Sequence, residues 1–301
     1  MTRAGTVLRD RRKEVLAALC GLTLAAGAWA APLGLNLEVG YNRSSNVTRA
    51  PEGSPDVLSD QFLGLNLNKN FTFPLTQHTR FVVNGFGGGE KFLDFDGLSR
   101  VLYGVQGTLQ YRPSAEFGAP TYGVFVRVSG DQYRSELRDG YRASAGVSVR
   151  KPVTDHIDIL GVAAYNARNA QNAVFDTRDW SARLNVDYSL FGRDTLYFGG
   201  EYRRGDTVST TQSSAALSSI AKAIATDDAF DDGVARWAYR FQATTLIGSI
   251  GYNFAFASGQ SLDLAYRYVR STPTDTAPYP YGNENPRYVD HQVGLSYLLR
   301  F

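Results

Sequence analysis

The chain has one cysteine, Cys20, and one methionine, Met1, in 301 residues. A single thiol closes no intrachain disulfide, and with only three histidines there is no ligand set for a structural zinc. Charge of one sign is missing as well: 31 basic against 29 acidic residues give a formal net charge of +2, which excludes the basic excess of a nucleic-acid binder. Long apolar runs are absent from the body of the chain. The longest uncharged stretch, 241–262, is broken by Asn253, Ser258, Gly259 and Gln260, so it does not read as a membrane-spanning helix. No phosphate-binding loop, dinucleotide fingerprint or metal-ligand cluster is present, and no cofactor is expected. What is plentiful is glycine (30), tyrosine (18) and phenylalanine (17), the residues of turns and strands, in a chain too apolar and aromatic to stay disordered.

The first thirty residues form a unit of their own. A basic start (Arg3, Arg9, Arg11, Arg12, Lys13), an apolar stretch from Val15 to Ala26 and the small-x-small triplet Ala28-Trp29-Ala30 make the three-part pattern of a cleaved secretory signal peptide. Leu19 before Cys20 spoils a lipoprotein signal, and the surroundings of Arg11-Arg12 match twin-arginine export weakly. The domain reading is therefore 1–30 signal peptide and 31–301 mature barrel. Five of the basic and two of the acidic residues leave with the signal, as do Cys20 and Met1. The mature chain keeps 22 arginines and four lysines against 27 acids, with no thiol, so packing or an extensive sheet must stabilise it.

From residue 33 onward, segments of about ten residues alternate apolar and polar. Residues 33–41 set Leu33, Leu35, Leu37, Val39 and Tyr41 opposite Gly34, Asn36, Glu38 and Gly40; residues 101–111, 141–149 and 180–190 repeat the pattern. Successive strand side chains point to opposite faces, so each segment has one greasy and one polar face. Further strands are expected near 61–71, 79–88, 121–130, 156–167, 195–204, 236–256, 260–270 and 287–301, making twelve. Short links (72–78, 112–120, 151–155, 191–194, 257–259) alternate with long ones (42–60, 89–99, 131–140, 168–178, 205–233, 271–286). The expected fold is all-β, a transmembrane antiparallel up-and-down β-barrel of about twelve strands with short periplasmic turns and long extracellular loops. A soluble sandwich or lipocalin-like barrel would have to bury the charges of the polar face, and aromatics such as Tyr41, Tyr111, Tyr141 and Trp180 cluster at the ends of the apolar face as in membrane-interface girdles. Apolar parity switches between Phe241 and Leu246, where a bulge is expected.

The last nine residues read Val293-Gly-Leu295-Ser-Tyr297-Leu-Leu299-Arg-Phe301, apolar at every second place and ending in Phe. This resembles the C-terminal signature of Gram-negative outer-membrane β-barrel proteins. The resemblance implies an outer-membrane location, with Tyr297, Leu299 and Phe301 as the assembly signal. It also implies the lipid bilayer, the barrel-assembly machinery and periplasmic chaperones as partners. It names no activity.

On the inward face the expected lumen-lining charges are Arg142, Arg150, Asp158, Arg183, Asp187, Glu201, Arg203, Asp263 and Arg267, within a slightly basic set that also holds Arg80, Arg127, Arg300, Glu38 and Asp290. Arg150 should face Asp158, and Arg183 should reach Glu201 and Arg203. Two readings stay open: a narrow passive channel whose guanidinium forks suit small polar or anionic solutes, and a plugged structural or secretion-associated barrel, for example polysaccharide-related, in which the charges cross-link the lumen. The 205–233 loop is the expected gate, with Ser213-Ser214 capping a short helix whose Leu217, Ile220 and Ile224 share a face; Asp227, Asp228, Asp231 and Asp232 read as a solvated acidic patch rather than a calcium site. Tyr279 and Tyr281 in the proline-containing 271–286 loop are placed to stack on sugars or to stiffen a turn. A lipid hydrolase is the remote alternative: His291 has lipid-facing parity near the outer end of the last strand, but no serine motif accompanies it, and the chain is read as a non-enzyme. Gly87-Gly88-Gly89 is expected to serve close packing or a bend.

Overall fold

The computed structural model describes residues 34–190, 193–275 and 286–301, so the signal-peptide segment and most of the Tyr279/Tyr281 loop lie outside the described residues. The period-2 segments form strands β1 (Leu35–Ser44), β2 (Asp60–Pro74), β3 (Thr79–Phe92), β4 (Arg100–Tyr111), β5 (Thr121–Tyr133), β6 (Gly140–Pro152), β7 (Ile157–Ala170), β8 (Thr177–Ser189) and β9 (Thr195–Thr211). A helix α1 (Ala215–Ile220) and a four-residue strand β10 (Ala223–Thr226) follow, then β11 (Trp237–Ala257), β12 (Gln260–Pro273) and β13 (Tyr288–Arg300). Each long strand pairs antiparallel with the next, β9 passes directly to β11, and β13 pairs with β1 from Asn36↔Arg300 to Ser44↔Gln292. The sheet is thus a closed barrel of twelve strands, and β10 lies outside the ring on the edge of β11. Closure leaves no open edge, the condition for a sheet to sit in hydrocarbon.

Register makes the two faces continuous around the ring. Leu65, Val101, Val124, Leu184, Leu246 and Leu264 point outward and are about half exposed, forming an apolar belt. A soluble protein would bury such side chains; here the bilayer covers them. Gly88, inside β3 rather than at its end, serves close approach: a Cβ there would lie 2.4 Å from the Leu65 carbonyl oxygen.

Buried apolar clusters gather at the end that carries the long connections, which is the extracellular end by the anatomy of such barrels. β9 (17 residues) and β11 (21 residues) overshoot their neighbours there. Their overhang packs Tyr239, Phe241 and Ala243 against Ala216, Leu217 and Ile220 of α1. This corrects the expected bulge. Register runs unbroken from Trp237↔Thr211 to Asn253↔Thr195, and the only irregularity recorded in the β11–β12 pairing falls at Ala255/Ala257. Parity switches because the covering changes: the inward face of β11 is packed by the helix near its start, and the outward face meets lipid from Leu246 on.

Candidate functional site

Beneath this end lies a cavity of about 880 Å³ inside the barrel. Arg142, Arg183, Glu201, Arg203 and Arg267 line it; Arg150, Asp158, Asp187 and Asp263 have inward parity nearer the short-turn end. Sequence pattern places all nine on one face, but the structure divides them along the axis.

Most acids of the upper half are engaged by arginines, while Asp179, among the described residues, accepts only from the neutral Asn166 amide (2.9 Å). Glu90 takes a bidentate fork from Arg100 (2.8 and 2.7 Å), Asp131 takes Arg142 (2.8 Å) and Arg168 (3.5 Å), and Glu201 takes Arg203 from two positions along the same strand. Arg183 stands directly opposite Glu201 in register, yet Glu201 bonds Arg203, so the expected Arg183–Glu201 pair is not formed. Asp290 accepts from Ser44 Oγ, Ser45 Oγ and the Ser45 and Asn46 backbone N–H groups at 2.9–3.1 Å, which anchors the β1–β2 connection. What is left over is net positive. Arg127 lies over the Phe86 ring at 4.0 Å, Arg267 donates only to the neutral Gln292 amide (3.2 Å), and Arg183 makes no ion pair among the described residues. Arg49, in a left-handed backbone conformation (φ 55°) on the β1–β2 connection, adds a further guanidinium to the cavity wall.

The lower half is nearly balanced, with Arg80, Arg150 and Arg300 against Glu38, Asp158, Asp187 and Asp263. Arg150 Nε bonds both Asp158 oxygens at 3.0 Å, as the hairpin geometry requires, and Arg80 donates to Gln110 (2.6 Å). Asp187 faces Asp158 across the β7–β8 ladder, and Asp263 accepts from the Tyr197 hydroxyl (2.8 Å). The unpaired arginines of the upper half, set against this near-balance, give the lumen an axial charge asymmetry.

A cap of converging segments roofs the cavity. The β1–β2 connection reaches across to the top of β9, where Thr210 N–H donates to the Thr48 carbonyl (2.8 Å). Asp56, 2% exposed, accepts from Thr211 Oγ1 (2.6 Å), Gln212 N (2.8 Å) and Arg236 Nε (3.2 Å). Burial pushes the Asp56 carboxyl up, but these donors and the Arg236 charge outweigh it and hold the group below its ordinary range. Arg236 also forks onto Asp232 at 2.6 and 2.9 Å, which lowers that carboxyl in turn.

Of the acidic run, Asp227 alone is buried, while Asp228, Asp231 and Asp232 stay exposed as the solvated-patch reading expects. Asp227 is buried against Arg138 and the Thr210 hydroxyl (2.6 Å), and Asp228 bonds Ser135. Between these acids, Ala229 and Phe230 pack on Leu98 and Phe95, so close that a Cβ on Gly97 would lie 2.4 Å from the Ala229 Cα. Ser214 caps α1 through Leu217 N (3.2 Å), and Leu217 and Ile220 are buried. Ile224 instead belongs to β10, where it is 47% exposed. Sequence reading missed the cap's partners, since Asp56 and Arg236 are 180 residues apart.

His291 faces outward, its ring Nδ1 2.8 Å from the Tyr266 hydroxyl and its ring beside Tyr268. His78 and His156 each bring Nδ1 to a carbonyl of the neighbouring turn, Arg112 and Ser189, at 3.1 Å. Among the described residues, none of the three bonds a serine hydroxyl through its ring. At the C-terminus, Tyr297 and Leu299 have outward parity, Tyr297 bonding Gln260 (2.9 Å) and stacking on Phe256, and Phe301 exchanges backbone bonds with Gly34 and Leu35.

No known family matches the chain, and none of the curated proteins matches it in sequence. By fold it is similar to an outer membrane channel from Pseudomonas putida F1, with 15% identity over 92% of this chain and 98% of that one and a TM-score of 0.54. The KdgM porin in complex with disordered oligogalacturonate (8% identity, 88% and 99% covered, TM-score 0.45) and the NanC porin (12%, 87% and 98%, 0.43) align less closely. Closed ring and apolar belt together define a membrane-spanning β-barrel with the fold of that outer-membrane channel.

Proposed function

We propose that the protein is a narrow passive channel for small polar or anionic solutes. The observation that carries this is the set of guanidinium groups, Arg127, Arg183 and Arg267, facing an 880 Å³ lumen cavity with no carboxylate paired to them. In a confined, partly desolvated space an unneutralised fork of donors concentrates anions and holds carboxylates transiently, which conduction requires. The refolded mature barrel in a planar bilayer should conduct and, in a salt gradient, give a reversal potential of anion-preferring sign. Absence of any conductance refutes the proposal.

The cap supports a second reading, a plugged or secretion-associated barrel, because Asp56 and Asp227 latch segments over the mouth. Loosening the cap separates the two: a channel with a leaky cap already conducts as the wild type, whereas a plugged barrel conducts only when the latch is cut. The outward His291, occupied by Tyr266, supports a non-enzymatic barrel. Residues 1–30 are read as the export signal. Tyr297, Leu299 and Phe301 are read as the strand presented to the assembly machinery and its chaperones, and deleting Phe301 should lower the folded fraction recovered from membranes.

A further inference from the structure

On the outer surface, four strands repeat one arrangement at the extracellular end. Tyr41 is followed at the next outward position by Arg43, Tyr202 by Arg204 and Tyr268 by Arg270, and Trp180 of the descending β8 is preceded by Arg178. The arginines stand one outward step beyond the aromatic girdle, at headgroup level. At the opposite end the outward strand cations are lysines, Lys69 and Lys151, and Lys69 lies over the Phe71 ring.

The pattern is tightest on β8 and β9. Trp180 and Arg204 are directly opposed in register, and Arg178 is one diagonal step away, so two guanidinium groups and an indole share a patch about 8 Å across at the Cβ level. Tyr165 packs against Trp180 with ring centroids 4.9 Å apart, and Trp180 is 67% exposed. Arg178 and Arg204 are exposed, and neither side chain has an ion pair or hydrogen bond among the described residues. The nearby carboxylate, Asp206, is engaged by Lys222 (3.2 Å), Gln242 (2.8 Å) and the Arg178 backbone N–H (3.1 Å).

We propose that this patch binds a phosphate-bearing lipid of the outer leaflet. Arg178 and Arg204 clasp the phosphate, and Trp180 and Tyr165 pack on the carbon skeleton beneath it. Planar guanidinium groups match phosphate oxygens in bidentate geometry, and both bonds are charge-assisted. The aromatic pair supplies the amphipathic surface that the interface favours. The proposal rests on the outer-membrane placement of the barrel and is independent of whether it conducts.

Native mass spectrometry of the folded barrel in neutral detergent tests it, with lipid A and enzymatically dephosphorylated lipid A as paired probes. The wild type should retain the phosphorylated form about tenfold more than the dephosphorylated one, the scale of one charge-assisted hydrogen bond. R178Q/R204Q should abolish that ratio, and R43Q, four strands away from β9 on β1, should preserve it. Equal retention of the two probes by the wild type overturns the site, as does an unchanged ratio in R178Q/R204Q. An equal loss in R43Q also overturns it, since attraction would then be diffuse around the rim. Heat-modifiable migration on gels confirms closure of each variant, and R204Q alone provides the same comparison should the double variant not close.

Discussion

Arg183 stands in the middle of β8, faces the cavity and keeps its charge because Glu201 opposite it is held by Arg203. One unit charge acting over about 8 Å in a water-like medium is worth about 0.5 kcal/mol, roughly a factor of two in ion partition. Because the anion loses and the cation gains that factor, Arg183→Ala, and separately Arg127→Ala, should reduce the anion-to-cation permeability ratio about fourfold each, read from reversal potentials. Asp56 gives a pH signature. Its folded-state pKa lies below the unfolded value, so its contribution to stability is complete above the unfolded carboxylate range, about pH 3.9, and is lost as pH falls through the folded value. Hydrogen exchange at the β1–β2 connection and the top of β9 should speed up below about pH 4 in the wild type. Asp56→Asn should remove that part of the pH dependence. The side each residue faces was legible in the sequence, because a period of two fixes it. Which arginine takes which acid was not, because Glu201 chooses between a partner across the ladder and one two positions along the same strand, a choice of rotamer and not of pattern.

β11 shows how one strand serves two environments. Phe241 packs inward on α1, and Leu246, five residues on, points outward to lipid. Phe241→Ala should cost about 3–5 kcal/mol of cap packing, seen as faster exchange in α1 with the barrel intact. Leu246→Lys should instead destabilise the barrel in bilayers by up to about 2–4 kcal/mol, the midplane cost, measured by urea unfolding from vesicles. Similar losses at both positions in both assays would contradict the division of the strand. All twelve ring strands were legible from alternation, yet β9 and β11 run beyond the lipid and there follow another rule: the overhang is paired by β10 and packed by α1. The parity switch was visible in the sequence, but a bulge and a change of covering leave the same trace in a single chain. The acidic run was visible too, but not that Asp227 within it is buried, which depends on Arg138, 89 residues away in sequence.

At the scale of the molecule, the proposed channel is asymmetric: unpaired arginines gather in the half of the lumen under the latched roof, and the other half is nearly balanced. Such an axial charge asymmetry should make the current rectify, larger at one polarity than at the other in symmetric salt. Gly97→Val forces a side chain into the Ala229 backbone, so it should lift the cap and raise conductance while leaving the fold closed. The central claim is that the lumen conducts and that its uncompensated arginines set the preference. The most direct measurement is the reversal potential of single channels in a tenfold salt gradient, for the wild type and for Arg127→Ala/Arg183→Ala. The account predicts an anion-preferring potential that moves toward zero in the double variant; a silent bilayer with both the wild type and Gly97→Val, or a cation-preferring potential in the wild type, would contradict it.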